Sequence, residues 1–176
     1  MSASDDPIEA VSQRLASFVT DQSTTWQHDG PEAAGFVRAG ADALTGGKRL
    51  RARFCLAGWQ AVAETRSPAE AASTPGDDVI AAAAALEIFH AAALVHDDLI
   101  DRDLERRGEP NVAGRFRVRA GHYGAAADDA ALVGDAAAVL AGDLLLFEAD
   151  AAPGVPVDDV ESYLLHPGFA ASWPRL

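Results

Sequence analysis

The feature that most constrains this chain is a cluster of aspartates at the end of a long alanine-rich segment. Asp97, Asp98 and Asp101 follow an apolar run, residues 91–95, that is expected to be buried. In a helix this spacing places Asp97 and Asp101 one turn apart on the same face. Carboxylates held this close repel one another unless a cation lies among them. The segment therefore predicts a helix that carries a site for a hard ion such as Mg²⁺, which shares its ligands with phosphate.

Two groups of cationic residues accompany the aspartates in the sequence. Lys48 and Arg51 follow two glycines and share one face of a predicted helix start, where an anion also meets the helix dipole. Arg106 and Arg107 come shortly after the aspartates and carry guanidinium groups suited to phosphate. Alone, each group is typical of a solvated basic turn. Together with the acidic cluster they favour a site for a metal-bridged diphosphate.

The composition indicates one helical domain. The chain has 176 residues, enough for a single core, and is 49% hydrophobic but only 7% aromatic because alanine supplies much of the apolar total. A net charge of −13 argues against nucleic-acid binding through a cationic surface. Its single cysteine, Cys55, excludes an internal disulfide. Without a visible signal peptide or an apolar run long enough to span a bilayer, we expect a cytoplasmic protein with no transmembrane segment.

Apolar residues at helical spacing divide the chain into successive helices. The predicted helices start near Pro7, Pro31, Leu50, Asp77 and Asp129, and the fourth continues to about Asp103. The predicted buried face of the third helix consists of Phe54, Ala57, Ala61 and Val62. The last helix is marked by Leu132, Val133, Ala136, Val139, Leu140 and Leu144. Residues 22–30 are predicted to form a connection, and residues 111–127 give no clear prediction. The domain is expected over residues 1–150, followed by a divergent, poorly structured tail at 151–176 that is rich in proline.

Three motifs carry a resemblance to a known family. They are Gly46-Gly47-Lys48-Arg49-Leu50-Arg51, the run Ala85-Leu86-Glu87-Ile88-Phe89-His90, and Asp97-Asp98-Leu99-Ile100-Asp101 with the Arg106-Arg107-Gly108 and Pro110 that follow it. In this order and spacing they resemble the polyprenyl synthetases, the head-to-tail trans-prenyltransferases such as geranylgeranyl diphosphate synthase. The resemblance covers about residues 33–148, the N-terminal half of a family member. It implies an all-α, isoprenoid synthase-type antiparallel helical bundle.

The resemblance also implies roles for individual residues. Asp97 and Asp101 would coordinate Mg²⁺ that bridges an allylic diphosphate, with Asp98 as a weaker catalytic ligand or a residue behind the ligands. Arg106 would bind the same allylic substrate. The implied contacts to isopentenyl diphosphate come from Lys48, Arg51, His90 and Arg107. His90 precedes Asp97 by two helical turns and so faces the same side, whereas His96 is rotated away and is expected to be structural.

The implied activity is condensation of isopentenyl diphosphate with an allylic diphosphate to give a polyprenyl diphosphate. In the family, bulky aromatic residues at the positions of Ala92 and Ala93 close the floor of the pocket and stop the chain early. Small residues here predict a deeper pocket and products of C20 or longer. Phe89, one turn further down, is the candidate for a lower floor.

The chain departs from the family because it lacks a second aspartate-rich motif. We therefore expect a truncated chain whose inner helix faces are uncovered, and a homodimer or hetero-oligomer. A non-catalytic regulatory or interaction subunit of a prenyltransferase is the alternative function. A histidine-aspartate metal phosphohydrolase, suggested by His96-Asp97, is disfavoured because its further ligands have no good candidates and the basic motifs stay unexplained.

Overall fold

A computed structural model describes residues 6–26, 28, 30–66, 69 and 72–151. Within these residues the chain forms six helices and one short hairpin. The elements are α1 (Pro7–Trp26), α2 (Pro31–Ala43), α3 (Leu50–Arg66), α4 (Asp77–Asp101), β1 (Glu105–Arg106), β2 (Glu109–Pro110), α5 (Val112–His122) and α6 (Ala127–Ala151). The predicted all-α class is confirmed. The predicted tail lies outside the described residues apart from Ala151, the last residue of α6.

Local sequence signals set several of the helix ends. Pro7 and Pro31 stand at the first positions of α1 and α2, where the fixed φ of proline suits a helix start. Asp77 lies in the first turn of α4, next to the positive end of the helix dipole. Asn111 caps α5, because its side chain accepts a hydrogen bond from the Gly114 N–H at 2.9 Å. The segment without a clear prediction therefore holds a capped helix.

Two predicted boundaries differ from the observed ones. The connection predicted from Gln22 is helical as far as Trp26. Gln22 donates a hydrogen bond to Glu148 of α6 at 2.9 Å and accepts one from the Trp26 indole at 3.1 Å, so tertiary contacts extend α1 through a polar stretch. Helix α4 ends at Asp101 rather than Asp103, because Arg102 adopts the left-handed conformation with φ of 61°.

Helix α4 is the centre of the bundle and packs against α1, α3 and α6, while α5 packs on α6. The core contains few large side chains and many alanines. The helices approach closely as a result. A Cβ at Gly134 of α6 would lie 2.6 Å from the Ala113 carbonyl oxygen of α5, and one at Gly142 would lie 2.1 Å from Nε2 of His96 on α4. His96 is thus packed against α6, as expected for a structural residue.

The predicted buried face of α3 is wrong. Phe54 and Val62 are 76% and 52% exposed, and Ala57 and Ala61 are also exposed. The buried residues are instead Ala52 and Ala63, with Cys55 and Leu56 partly buried. Helix α3 carries apolar residues on more than one face, and the face of small residues is the one that fits closely against the neighbouring helices. Periodicity alone does not reveal which apolar face is covered.

Large apolar side chains consequently remain exposed on α3, α4 and α6. They include Phe54, Leu86, Phe89, Ile100, Leu132, Leu140 and Phe147. By length and composition alone, α4 and α6 would each be able to cross a membrane. More than half (56%) of the apolar window of α4 is buried in the bundle, which accounts for the composition of that helix as a core element. The absence of a transmembrane segment stays a prediction.

Candidate functional site

The exposed face of α4 carries two of the three motif aspartates. Asp97 and Asp101 lie one turn apart and are both exposed. In the part of the chain that the structure describes, neither side chain forms an ion pair or a hydrogen bond. Ala93 lies on this face one turn before Asp97, and Phe89, which is 55% exposed, lies one turn further back. The face therefore presents two free carboxylates above an apolar surface.

The third motif aspartate, Asp98, points the other way and is buried, with an exposed fraction of 5%. The Arg106 guanidinium forms hydrogen bonds with both oxygens of this carboxylate. Its Nε donates to Oδ1 at 3.1 Å and to Oδ2 at 3.0 Å, and its Nη2 also donates to Oδ1. Nη2 also reaches the Leu94 carbonyl oxygen at 3.5 Å. The hydrogen bond to Asp98 raises the pKa of Arg106 despite partial burial of the guanidinium. Asp98 thus contributes a fixed ion pair behind the exposed aspartates.

The hairpin formed by β1 and β2 sends Arg106 and Arg107 in different directions. Arg107 and Gly108 form its two-residue turn with φ angles of 56° and 80°. Two positive φ angles are the mark of the tight hairpin turn whose twist suits antiparallel strands. Arg106 sits in the strand and faces Asp98, whereas Arg107 reaches the Thr45 carbonyl oxygen at 3.1 Å. The hairpin therefore links the aspartate motif to the start of the basic motif.

The basic motif forms the turn between α2 and α3. Gly46, Gly47 and Arg49 all have positive φ angles, of 73°, 90° and 50°. Arg49 is turned inward: its Nη1 donates to the Leu44 carbonyl oxygen at 3.0 Å and lies 4.0 Å from Oε2 of Glu87. Lys48 and Arg51 are exposed, and their side chains have no ion-pair partner among the described residues. The turn thereby separates one structural arginine from two cations that are free to bind a ligand.

Helical spacing predicts that Glu87 shares the side of Asp97 and Asp101, but the structure buries it against α3, and no role at the site was predicted for it. Its side chain is buried at 8% exposure, and Oε1 accepts hydrogen bonds from the backbone N–H groups of Arg51 and Ala52, both at 3.1 Å. The sequence signal is a lone carboxylate within an apolar run, three residues before His90. Such a residue needs a buried partner, but no local pattern indicates that this partner is the start of α3.

The free cations converge on one cavity of about 520 Å³. Its lining includes Lys48, Arg51, Glu87, His90, Leu94 and Arg107, which come from the basic turn, α3, α4 and the hairpin. Burial lowers the pKa of His90, and the positive charges of Arg51, Arg106 and Arg107 lower it further against the opposing effect of Glu87. An anion in this cavity would therefore meet several positive charges at once.

A second cavity of about 350 Å³ shares Arg107 with the first. It is lined by Asp98, Arg106 and Arg107 together with residues of α2 and α5, and it shares Leu94 with the first cavity. Arg115 and Asp42 form an ion pair in its wall. Most of its charges are already paired, so the first cavity is the better anion site.

Asp97 and Asp101 suit a metal ion that completes its coordination shell with water and the oxygens of a bound substrate. No three potential ligand side chains converge anywhere within the described ranges. Two exposed carboxylate oxygens on one helix face nevertheless suit Mg²⁺, which is commonly held by one or two carboxylates plus water and phosphate oxygens.

The structure gathers four of the predicted site residues, Lys48, Arg51, His90 and Arg107, around one cavity. Of the residues predicted for the chain-length pocket, Phe89 and Ala93 lie on the exposed face of α4. Ala92 is fully buried at 0% exposure and faces the core, so its methyl group packs between helices rather than lining an open pocket.

Comparison with known proteins gives a consistent set of matches. A family model for polyprenyl synthetases matches residues 36–152. A probable farnesyl diphosphate synthase of Sinorhizobium fredii is 42% identical over 104 residues, which are 58% of this chain and 23% of that protein. A chloroplastic geranylgeranyl pyrophosphate synthase of Capsicum annuum is 34% identical over 105 residues, 58% of this chain and 21% of that protein.

A solved structure matches over more of the chain. It is the geranylgeranyl pyrophosphate synthase from Corynebacterium glutamicum complexed with isoprenyl diphosphate and magnesium. The TM-score is 0.72 at 29% identity, and the match covers 91% of this chain and 44% of that one. The fold is thus the helical bundle of isoprenoid synthases, and the chain spans less than half the length of these relatives.

Proposed function

The chain belongs to the polyprenyl synthetase family, and from that premise we propose that it acts in Mg²⁺-dependent condensation of isopentenyl diphosphate with an allylic diphosphate. The observation that carries the proposal is the convergence of Lys48, Arg51, His90 and Arg107 around one cavity, next to a helix face with two free aspartates. The family match and the names of the relatives support a prenyl diphosphate synthase.

The cavity is suited to the diphosphate of isopentenyl diphosphate. Four cationic residues, Lys48, Arg49, Arg51 and Arg107, line it together with His90. The hydrogen bond from Arg107 to the Thr45 carbonyl oxygen already holds one of these cations at the cavity. Guanidinium groups bind phosphate oxygens in pairs, and lysine adds a compact charge. In the proposed complex these groups orient the substrate so that its double bond faces the exposed side of α4.

The allylic diphosphate would bind near Asp97 and Asp101. Asp97 and Asp101 would hold Mg²⁺, whose positive charge would stabilise the diphosphate as a leaving group. Arg106 uses Nε and Nη2 to hold Asp98, which leaves Nη1 for the same substrate. His90 and Asp97 are two turns apart, roughly 10 Å along the helix axis, so the two diphosphates would lie side by side along α4.

The reaction itself makes one carbon–carbon bond. The bond between the allylic carbon and its diphosphate oxygen breaks, the double bond of isopentenyl diphosphate attacks that carbon, and a proton leaves, to the released diphosphate in this proposal. The side chains supply charge stabilisation and alignment rather than a covalent nucleophile. Apolar residues on the exposed face of α4, among them Ala93, would keep water from the positively charged allyl group.

The small side chain of Ala93 favours a product of C20 or longer. Ala93 is exposed directly below Asp97, so it leaves room for a growing chain, and Phe89 is the next bulky residue on that face. Ala93→Phe is expected to shorten the product because its ring would fill this space. A wild-type product that ends at C15 would contradict the proposed length.

The deciding experiment is an elongation assay on the purified 176-residue chain with isopentenyl diphosphate, an allylic diphosphate and Mg²⁺. Asp97→Ala should abolish product formation, whereas Asp129→Asn, which alters an exposed aspartate in the first turn of α6, serves as the matched control. Equal activity of wild type and Asp97→Ala would refute the proposed site. No product from folded wild type would favour the alternative, a non-catalytic regulatory or interaction subunit.

A further inference from the structure

We infer that Glu87 is a positioning residue that holds the basic segment, residues 46–53, in the shape that binds diphosphate. Its carboxylate lies in α4, 36 positions after Arg51, and accepts the N–H groups of the first turn of α3. The inference rests on the proposed function in one respect, namely that the anion bound by Lys48 and Arg51 is a diphosphate.

The start of α3 requires an acceptor that its own sequence does not provide. The first N–H groups of any helix have no partner within that helix, and a serine, threonine or aspartate just before the helix usually accepts one of them. The residue before α3 is Arg49, whose guanidinium donates to the Leu44 carbonyl oxygen. Glu87 supplies the missing oxygen from another helix, and its negative charge also matches the positive end of the helix dipole.

The contacts of Glu87 show that it acts on the segment rather than on a ligand. Oε1 is occupied by the N–H groups of Arg51 and Ala52, and Oε2 faces Nη1 of Arg49 at 4.0 Å. At 8% exposure the carboxylate is almost removed from solvent. A free carboxylate at the wall of an anion site would repel a diphosphate. The charge of Glu87 is instead offset by the two N–H groups and the Arg49 guanidinium.

The consequence is a fixed alignment between the cations of the basic segment and His90. Glu87 and His90 lie on the same helix less than one turn apart. The hydrogen bond from the Arg51 N–H to Glu87 therefore also sets the position of Arg51 relative to the imidazole. Lys48 is tied to the same unit, because its carbonyl oxygen accepts a hydrogen bond from Nε of Arg53 at 3.1 Å. Both Lys48 and Arg51 therefore depend on one buried carboxylate for their placement.

The test compares Glu87→Gln with Glu87→Ala in the full chain. Glutamine keeps an oxygen that accepts both N–H groups, whereas alanine removes it. Binding of inorganic pyrophosphate and of isopentenyl diphosphate is measured by calorimetry without Mg²⁺, so that the cation site is observed apart from the aspartates. Glu87→Gln should bind within about threefold of wild type, and Glu87→Ala roughly tenfold more weakly, because misplaced binding groups lose most of their contribution. Glu64→Ala, an exposed glutamate of α3, is the matched control.

Two further readouts separate positioning from a purely structural role. Amide exchange at Arg51 and Ala52 should accelerate in Glu87→Ala and not in Glu87→Gln. Arg51→Ala should weaken binding strongly in wild type but add little in the Glu87→Ala background, since the cation is already misplaced there. If Glu87→Ala does not fold, Glu87→Asp replaces it, because aspartate keeps the charge but shortens the reach.

The outcomes distinguish this inference from the proposed function. If wild type binds neither pyrophosphate nor isopentenyl diphosphate, the proposed function fails and the inference falls with it. If wild type binds and Glu87→Ala, or the aspartate variant, binds equally well, only the inference is overturned. Faster amide exchange with unchanged binding would show that Glu87 merely caps α3 and would overturn its positioning role.

Discussion

The two faces of α4 use the same chemical group in opposite ways. On the buried face, Glu87 holds the start of α3 and Asp98 holds Arg106. On the exposed face, Asp97 and Asp101 have no side-chain partner among the described residues. Since a buried carboxylate is tolerated only with partners that satisfy it, the inner acids organise the cationic segments. The outer acids stay available to a metal ion and its ligand.

The difference teaches that neighbouring residues of one motif have separate tasks. Asp97 and Asp98 are adjacent, yet one is exposed and the other has an exposed fraction of 5%. Arg106 and Arg107 are also adjacent, and the hairpin turn directs one inward and the other to the anion cavity. The inner residues, Asp98 and Arg106, hold the backbone in place, and the outer residues, Asp97 and Arg107, are positioned to bind a ligand.

The largest effect on stability is expected from Asp98→Ala. Removal of the carboxylate leaves Arg106 without its partner, and breaking a buried ion pair costs about 3–5 kcal/mol. Because a third of the Arg106 side chain is exposed, we expect a loss at or below the lower limit, about 2–3 kcal/mol. Asp97→Ala, on the exposed face, should change the free energy of unfolding by less than about 0.5 kcal/mol. Urea denaturation of the two variants measures the difference, and equal losses would contradict the assignment of the faces.

A second comparison enlarges one alanine on each face. Ala92 has no exposed surface, so Ala92→Leu overpacks the contact between helices and should cost about 2 kcal/mol. Ala93→Leu places the same side chain toward solvent and should cost less than about 0.5 kcal/mol. Thermal unfolding of both variants tests this. A stable Ala92→Leu protein would mean that the site next to Ala92 is open.

The attachment of the hairpin depends on Gly114 of α5. A Cβ at this position would lie 2.2 Å from the Leu104 carbonyl oxygen, a backbone atom just before β1. We expect Gly114→Ala to cost about 1–2 kcal/mol and to loosen the contact between Arg106 and Asp98. Gly121→Ala in the same helix meets no atom within 4 Å and should be neutral or gain up to about 1 kcal/mol from helix propensity. Denaturation curves that rank the two variants in the opposite order would contradict the close approach.

The smallest expected effect concerns His90 and pH. Burial and the nearby arginines lower the pKa of His90 in the folded protein below its ordinary value of 6.5. The unfolded chain then binds more protons than the folded one, so His90 contributes a loss of stability as the pH falls below about 6.5. His90→Gln should flatten this part of the stability curve, by less than the losses expected from Asp98→Ala, Ala92→Leu and Gly114→Ala. Unfolding measured at several pH values in wild type and His90→Gln isolates the contribution, and identical curves would contradict it.

Much of the site was predictable because its motifs are local. The acidic and basic residues stand at fixed spacings, and helical geometry alone places Asp97 and Asp101 on one face. The boundaries of α5 and the extension of α1 were not predictable to the same degree, because Asn111 and Gln22 act through contacts with particular atoms. The role of Glu87 was also missed, since its partner is 36 positions away in the sequence.

The sequence by itself determined the helical class, the charged motifs and the family resemblance, because spacing along a helix decides which side chains share a face. The tertiary structure decided which apolar face of α3 is buried, which aspartate of the neighbouring pair points inward, and that Arg49 supports the turn while Arg51 faces the cavity. These choices depend on close packing and on buried hydrogen bonds between distant segments. A periodic sequence pattern is compatible with more than one buried face, and only the contacts between helices decide which face is buried.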